Sequence, residues 1–170
     1  MAVKEVKLST IEEVLTTLTT AEFNDALKRN RSAFLFRGLP NVSYKLTTSL
    51  RWNCKGKAGE LEPSILRNFS KYAASTSPLN SCWEQMVIGQ HHGLPTRLMD
   101  WTYSPLAALH FATSGEDITG MNQHDAVVWA IDITEMNTLL PAKYQKVLND
   151  ERAYLFTIDM LDRVAKDLTT

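Results

Sequence analysis

Apolar residues recur at helical spacing in the first part of the chain. Ile11, Val14, Leu15 and Leu18 fall on one helical face, and Ser9 with Glu12 reads as the capping box that starts it. Ala21 to Arg29 reads as a second short helix. The period then shortens. Ala33-Phe34-Leu35-Phe36 is a compact strand ending at Arg37-Gly38, and Leu39-Pro40-Asn41 turns the chain. Tyr44-Lys45-Leu46 reads as a short strand leading into Thr47-Thr48-Ser49-Leu50-Arg51, and the glycine- and lysine-rich residues from Lys55 to Gly59 as an exposed loop.

Further along, Pro63 suits the start of a helix to about Ala74, with Ile65, Leu66, Phe69 and Ala73 on its buried side. Ser75 to Asn80 is a polar break. Ser81 with Glu84 forms a second capping box, opening a helix that carries Trp83, Met86 and Val87 and ends near Gly93. Ser104 and Pro105 are N-cap and first residue of a helix to about Thr113; Gly115 to His124 is a loop. Ala126 to Ile133 is apolar on both parities, which predicts a strand in the middle of a sheet. Thr134 caps a helical turn holding Met136 and Leu139, and Arg152 to Lys166 reads as mainly helical. Helices and a few strands in mixed order predict an α+β fold: a small mixed or antiparallel sheet with several flanking helices.

Composition narrows the function classes. With 44% hydrophobic residues in 170, the chain can bury a real core and is expected to form a single domain. Eighteen basic residues against 19 acidic ones leave a net charge of −1, so net charge does not indicate nucleic acid as a partner. Two local clusters stand out, Lys28-Arg29-Arg31 and Arg51-Lys55-Lys57; each is either a local basic patch or, more simply, solvated loop charge. Cys54 and Cys82 have no metal-ligand spacing and read as free thiols. No apolar run approaches a membrane span, and the N-terminus has no apolar signal segment, so a cytoplasmic protein is expected.

Candidate chemistry concentrates in one stretch, Gly89-Gln90-His91-His92-Gly93-Leu94-Pro95-Thr96-Arg97-Leu98-Met99-Asp100-Trp101-Thr102. Polar groups on a turn before a buried helix are held by the scaffold while remaining able to bind. The candidate ligand-binding residues there are Gln90, Thr96, Arg97, Asp100, Trp101 and Thr102. Each also has an ordinary structural role: an Arg97–Asp100 ion pair, hydroxyls that form turns, a tryptophan in the core. Adjacent His91 and His92 diverge around a helix and do not make a metal pair, so no metal is expected. Either suits a donor or acid–base role. Arg37, at a strand end beside Gly38, suits a phosphate or carboxylate, or a structural ion pair with a carboxylate such as Asp100. Both arginine-bearing segments flank apolar elements, so Arg37, Arg97 and Asp100 are expected to converge.

These same residues carry a resemblance. Phe36-Arg37-Gly38 and the stretch from Gln90 to Pro105, with Ala107 to Ala112 behind it, are similar to the two hallmark motifs of the FRG domain family. Ser49-Leu50-Arg51 and the strand at Val128 to Asp132 fit as well, so the resemblance covers about residues 30 to 135. More distantly, Arg37-Gly38 followed by Thr47-Thr48-Ser49 resembles the opening of ADP-ribosyltransferase domains. That resemblance implies an ADP-ribosyltransferase-like fold and NAD as a substrate. Arg37 would hold its phosphates, Ser49 would brace the nicotinamide ribose, and His91 or His92 would act as donor. It also implies a catalytic glutamate on a later strand, for which only Glu135 and Glu151 lie late in the chain. FRG proteins commonly continue further, so a truncated or split form is expected. The family's setting implies a bacterial toxin or phage-defence effector with NAD glycohydrolase or transferase activity. The alternative is a non-catalytic module that binds a nucleotide or a protein partner.

Overall fold

The computed structural model describes residues 3–20, 23–25, 29–30, 33–73, 81–114 and 123–165. The fold is α+β, with a small antiparallel sheet among helices. Its contacts divide into two compact units, each discontinuous in sequence: residues 1–44 with 101–133, and residues 45–100 with 134–170.

In the first unit, α1 (Ile11–Thr19) starts one residue later than the Ser9–Glu12 box predicts. Thr10 is the cap: its hydroxyl accepts from the Glu13 N–H at 3.1 Å, and the Glu13 carboxylate accepts from the Ser9 and Thr10 N–H groups at 2.8 and 3.1 Å. Glu13 reaches two backbone donors at once, which Glu12 does not. The face expected to be buried is largely open, with Ile11 80% exposed. Of the helix expected over Ala21–Arg29, residues 21–22 and 26–28 lie outside the described residues, and the described ones form two short strands instead, β1 (Phe23–Asn24) and β2 (Arg29–Asn30), paired antiparallel.

Strand β3 (Phe34–Leu39) runs three residues past Phe36, so Arg37 and Gly38 lie within it rather than beyond its end. It pairs antiparallel with β4 (Val127–Asp132), in a register that sets Arg37 opposite Trp129 and Gly38 opposite Val128. On its other edge Phe36 exchanges two backbone hydrogen bonds with Thr102, at 2.8 and 2.9 Å. The middle position therefore belongs to β3, and the only strand paired with β4 among the described residues is β3. Apolar residues on both parities did not mean pairing on two edges, and the strand is half-buried rather than central, with Ala130 exposed.

Helix α5 (Pro105–Thr113), capped by Ser104 as its sequence predicts, lies across β3. A Cβ on Gly38 would stand 1.8 Å from the Ala108 carbonyl oxygen, so glycine is what lets the backbones approach. Ala108 and Ala112, one helical turn apart, face this contact and are buried with Phe36 and Ile133.

The second unit is helical. The expected strand at Tyr44–Leu46 is absent; α2 (Ser49–Cys54) begins soon afterwards, with Thr48 as cap. The expected loop from Lys55 is a tight 3-10 turn, Lys55–Lys57, leading directly into α3 (Ala58–Ala73). Pro63 thus lies inside α3, not at its start. Helix α4 (Cys82–His91) is capped by Ser81, which accepts from the Glu84 N–H at 3.1 Å. Its far end closes as a Schellman motif: the Gly93 N–H donates to Gln90 and the Leu94 N–H to Gly89, with Gly93 at φ +83°.

After β4 come α6 (Ile133–Thr138), α7 (Ala142–Asp150) and α8 (Ile158–Val164). Of the helix expected from Arg152 to Lys166, the stretch Ile158–Val164 is helical, as α8 capped by Thr157, while Arg152 lies in the turn after α7 at φ 51°. Helix α8 packs on α4, where the Trp83 indole donates to the Ala165 carbonyl at 2.7 Å. Leu50, Leu66, Met86, Leu148, Met160 and Ala165 are this unit's buried apolar residues among those described. The Lys28-Arg29-Arg31 cluster, the Ser75–Asn80 break and most of the Gly115–His124 loop lie outside the described side chains. No helix among the described residues is long and apolar enough to cross a membrane.

Candidate functional site

The polar stretch from Gln90 to Asp100 belongs to the second unit and is fastened at three points. Its hub is Thr96, 1% exposed. The Thr96 hydroxyl donates to the Gln90 side-chain oxygen and accepts from the Leu98 N–H at 3.2 Å. The Thr96 N–H donates to the Ser49 hydroxyl at 3.1 Å, and that hydroxyl donates to the Thr96 carbonyl at 3.3 Å. The Leu50 N–H also donates to that carbonyl, at 3.1 Å. A loop residue thereby satisfies one of the unpaired N–H groups that open α2. Gln90, on the last turn of α4, completes the link by donating from its amide to Asp100.

The third fastening is an ion pair. Arg97 Nε donates to both carboxylate oxygens of Glu62, at 2.8 and 3.0 Å, and Nη2 contacts the same carboxylate. Glu62 is 2% exposed, and its hydrogen bonds hold the Arg97 guanidinium above its ordinary pKa. The partner of Arg97 is thus Glu62 and not Asp100, as the three-residue spacing suggested. A carboxylate on the buried stripe of a neighbouring helix offers the guanidinium a forked geometry in a low-dielectric setting.

Glu62 was not among the sequence candidates. It sits four residues before buried Leu66 on the apolar side of α3, and a charge on an apolar stripe is a legible signal. Starting the helix at Pro63 leaves Glu62 outside it and hides that signal.

His91 ends α4 and His92 caps it; both are exposed, with ring centroids 5.6 Å apart, and His92 lies 6.4 Å from the Phe69 ring. Among the described residues no group of three or more His, Cys, Asp or Glu side chains is placed to hold a metal. Of the late glutamates, Glu151 contacts Arg163 at 2.6 Å and Glu135 lies on α6.

The other candidates belong to the first unit. Thr102 is bonded to Phe36, and its hydroxyl accepts from the Ser104 N–H at 3.0 Å, a turn-forming role. Trp101 beside it is half-buried. Arg37 and Trp129 are direct cross-strand neighbours, and such pairs project from the same face. Gly38 and Phe36 face α5, so Arg37 and Trp129 project from the opposite face, with Leu35, Leu39, Val127 and Ile131. On that face the Trp129 indole nitrogen is buried and has no hydrogen-bond acceptor. The structure therefore places Arg37, Gly38, Trp101 and Thr102 in one unit. It gathers Ser49, Gln90, Thr96, Arg97 and Asp100, with His91 and His92 beside them, in the other.

The chain belongs to the FRG domain family, which matches it over residues 32–119. That span takes in β3 with Arg37 and Gly38, the Glu62–Arg97 pair, the whole Gln90–Thr102 stretch and α5. No curated protein and no solved structure matches the chain.

Proposed function

We propose that this FRG domain is a binding module for a nucleotide or a similar anion, with its site on the sheet face that carries Arg37 and Trp129. The supporting observation is the Trp129 indole N–H, buried without an acceptor, on the residue directly across from a guanidinium. A buried donor without a partner costs about 1–3 kcal/mol. A ligand oxygen seated over this face of the pair would recover that cost and would also meet the Arg37 cation. The resemblance to ADP-ribosyltransferases makes NAD the nucleotide to try first.

The enzymatic reading is NAD glycohydrolysis or ADP-ribosyl transfer, in the service of a bacterial toxin or phage-defence effector. There Arg37 would hold phosphate, Ser49 would brace the nicotinamide ribose and His91 or His92 would donate. The exposed imidazoles at the end of α4 favour it. Against it, the Ser49 hydroxyl both donates to and accepts from Thr96, and the buried Glu62 carboxylate is engaged by Arg97. Neither group is poised to act on a ligand.

Calorimetry with NAD and with AMP, run beside an assay for free nicotinamide, separates the readings. Binding without nicotinamide release is expected. Trp129→Phe keeps the ring and removes the donor, and should weaken binding about tenfold. Release of nicotinamide that is lost in Arg37→Ala would establish the enzyme instead. Full affinity in both Trp129→Phe and Arg37→Ala would remove this face as the site.

A further inference from the structure

The second unit carries a feature that the nucleotide site does not use. Trp52 is 67% exposed on α2, whose buried residue is Leu50. Tryptophan is on average a highly buried residue, so a ring held in solvent is informative. Arg51 precedes it, and Lys55 and Lys57 follow on the 3-10 turn; all three cations are exposed. The Lys55 N–H donates to the Arg51 carbonyl, which sets these two residues one turn apart at the end of α2, with Trp52 next to Arg51 in sequence. Lys55 adopts φ 49° where α2 ends, and Gly56 and Lys57 follow on the 3-10 turn. A Cβ on Gly56 would meet nothing within 4 Å, so the backbone there is open to approach.

Charge is concentrated here although the chain as a whole is nearly neutral. Between Lys45 and Tyr72 there are six cations and two carboxylates, while the whole chain carries −1. One of those carboxylates is Glu62, already matched by Arg97. Among the described residues, Arg51, Lys55 and Lys57 make no ion pair. The local balance answers the argument from net charge, because screening confines such a field to about 8 Å at physiological salt.

We propose that Arg51, Trp52, Lys55 and Lys57 form a binding surface for single-stranded nucleic acid. The exposed indole stacks on one unpaired base, and the three cations contact the flanking phosphates. Stacking on an aromatic ring beside a positive track is how single strands are held without reading sequence. An anionic membrane would also meet the cations. However, α2 turns its aliphatic residue Leu50 inward and offers a membrane one ring, with Asn53 beside it, rather than an apolar face.

The test is fluorescence anisotropy of the full chain with a labelled 12-nucleotide oligo-dT strand, from about 50 to 200 mM salt. Binding is expected, with log K falling against log salt at a slope of about −2, from three phosphates at about 0.7 each. Trp52→Ala should weaken binding about tenfold or more, and Trp52→Phe should restore most of it. Lys55→Glu with Lys57→Glu should abolish it. Circular dichroism confirms that each variant folds. No binding at the lowest salt overturns the proposal, as does binding that Trp52→Ala leaves unchanged. Binding to phosphatidylserine vesicles but not to the oligonucleotide assigns the surface to membranes and overturns it too.

Discussion

Glu62 and Arg97 stand 35 residues apart in sequence and form a forked ion pair, with Nε at 2.8 and 3.0 Å from the two carboxylate oxygens. The pair is asymmetric: the Glu62 side chain is 2% exposed and that of Arg97 41%. Arg97→Ala therefore strands a carboxylate that water does not reach. A loss of about 3 kcal/mol is expected, near the low end for a broken buried pair because Arg97 itself is partly solvated. Urea melts of Arg97→Ala, Glu62→Leu and the double variant check this. The double variant should lie closer to the wild type than the Arg97 variant does.

Ser49 links the first turn of α2 to the loop, accepting from the Thr96 N–H at 3.1 Å and donating to its carbonyl at 3.3 Å. Ser49→Ala leaves the Thr96 N–H, on a buried residue, without that acceptor. A destabilisation of about 1–2 kcal/mol is expected, with NAD affinity unchanged. If affinity collapses while the melting temperature holds, Ser49 contacts ligand and the enzymatic reading gains.

Gly38→Ala places a methyl 1.8 Å from the Ala108 carbonyl oxygen and 2.7 Å from the Ala112 nitrogen. Both obstacles are helix backbone, which cannot step aside like a flexible side chain. The cost is expected at or above the upper end for overpacking, about 3 kcal/mol or more. Thermal unfolding followed by circular dichroism should show a lower midpoint or no folded baseline, whereas Gly56→Ala, in open space, should be nearly neutral.

The Glu13 carboxylate is held below its ordinary value of 4.5, first by the Ser9 backbone N–H and then by that of Thr10. A carboxylate with a lowered folded-state pKa adds stability above the unfolded value and loses it as pH falls through the lowered one. Helix α1 should therefore keep its cap above about pH 4.5 and fray below it. An NMR titration of the Glu13 side chain gives the midpoint. Glu13→Gln should remove that part of the acid sensitivity, and a Glu13 midpoint at or above 4.5 contradicts the cap.

Several helix ends were legible because they are decided within a few residues. Ser104 with Pro105, Ser81 with the Glu84 N–H, and Gly93 after α4 set helix ends from neighbouring atoms, and their positions follow from sequence. The Phe34–Phe36 run and the Ala126–Ile133 run likewise declare themselves as strands, and their mixture with helices gives the α+β class. Partners were not legible, because pairing depends on distances that sequence spacing does not set. Spacing favoured Asp100 for Arg97, yet the folded chain presents Glu62 from α3. The composition of Ala126–Ile133 marked a strand but not its place in the sheet, where β3 is its partner among the described residues. The resemblance cast Ser49 against a ribose, and only the fold shows that Thr96 bonds it. A hydroxyl, an amide or a guanidinium carries the same chemistry whether it serves a ligand or its own backbone. Tertiary contact alone decides which, since a buried polar group takes whatever partner the packing delivers.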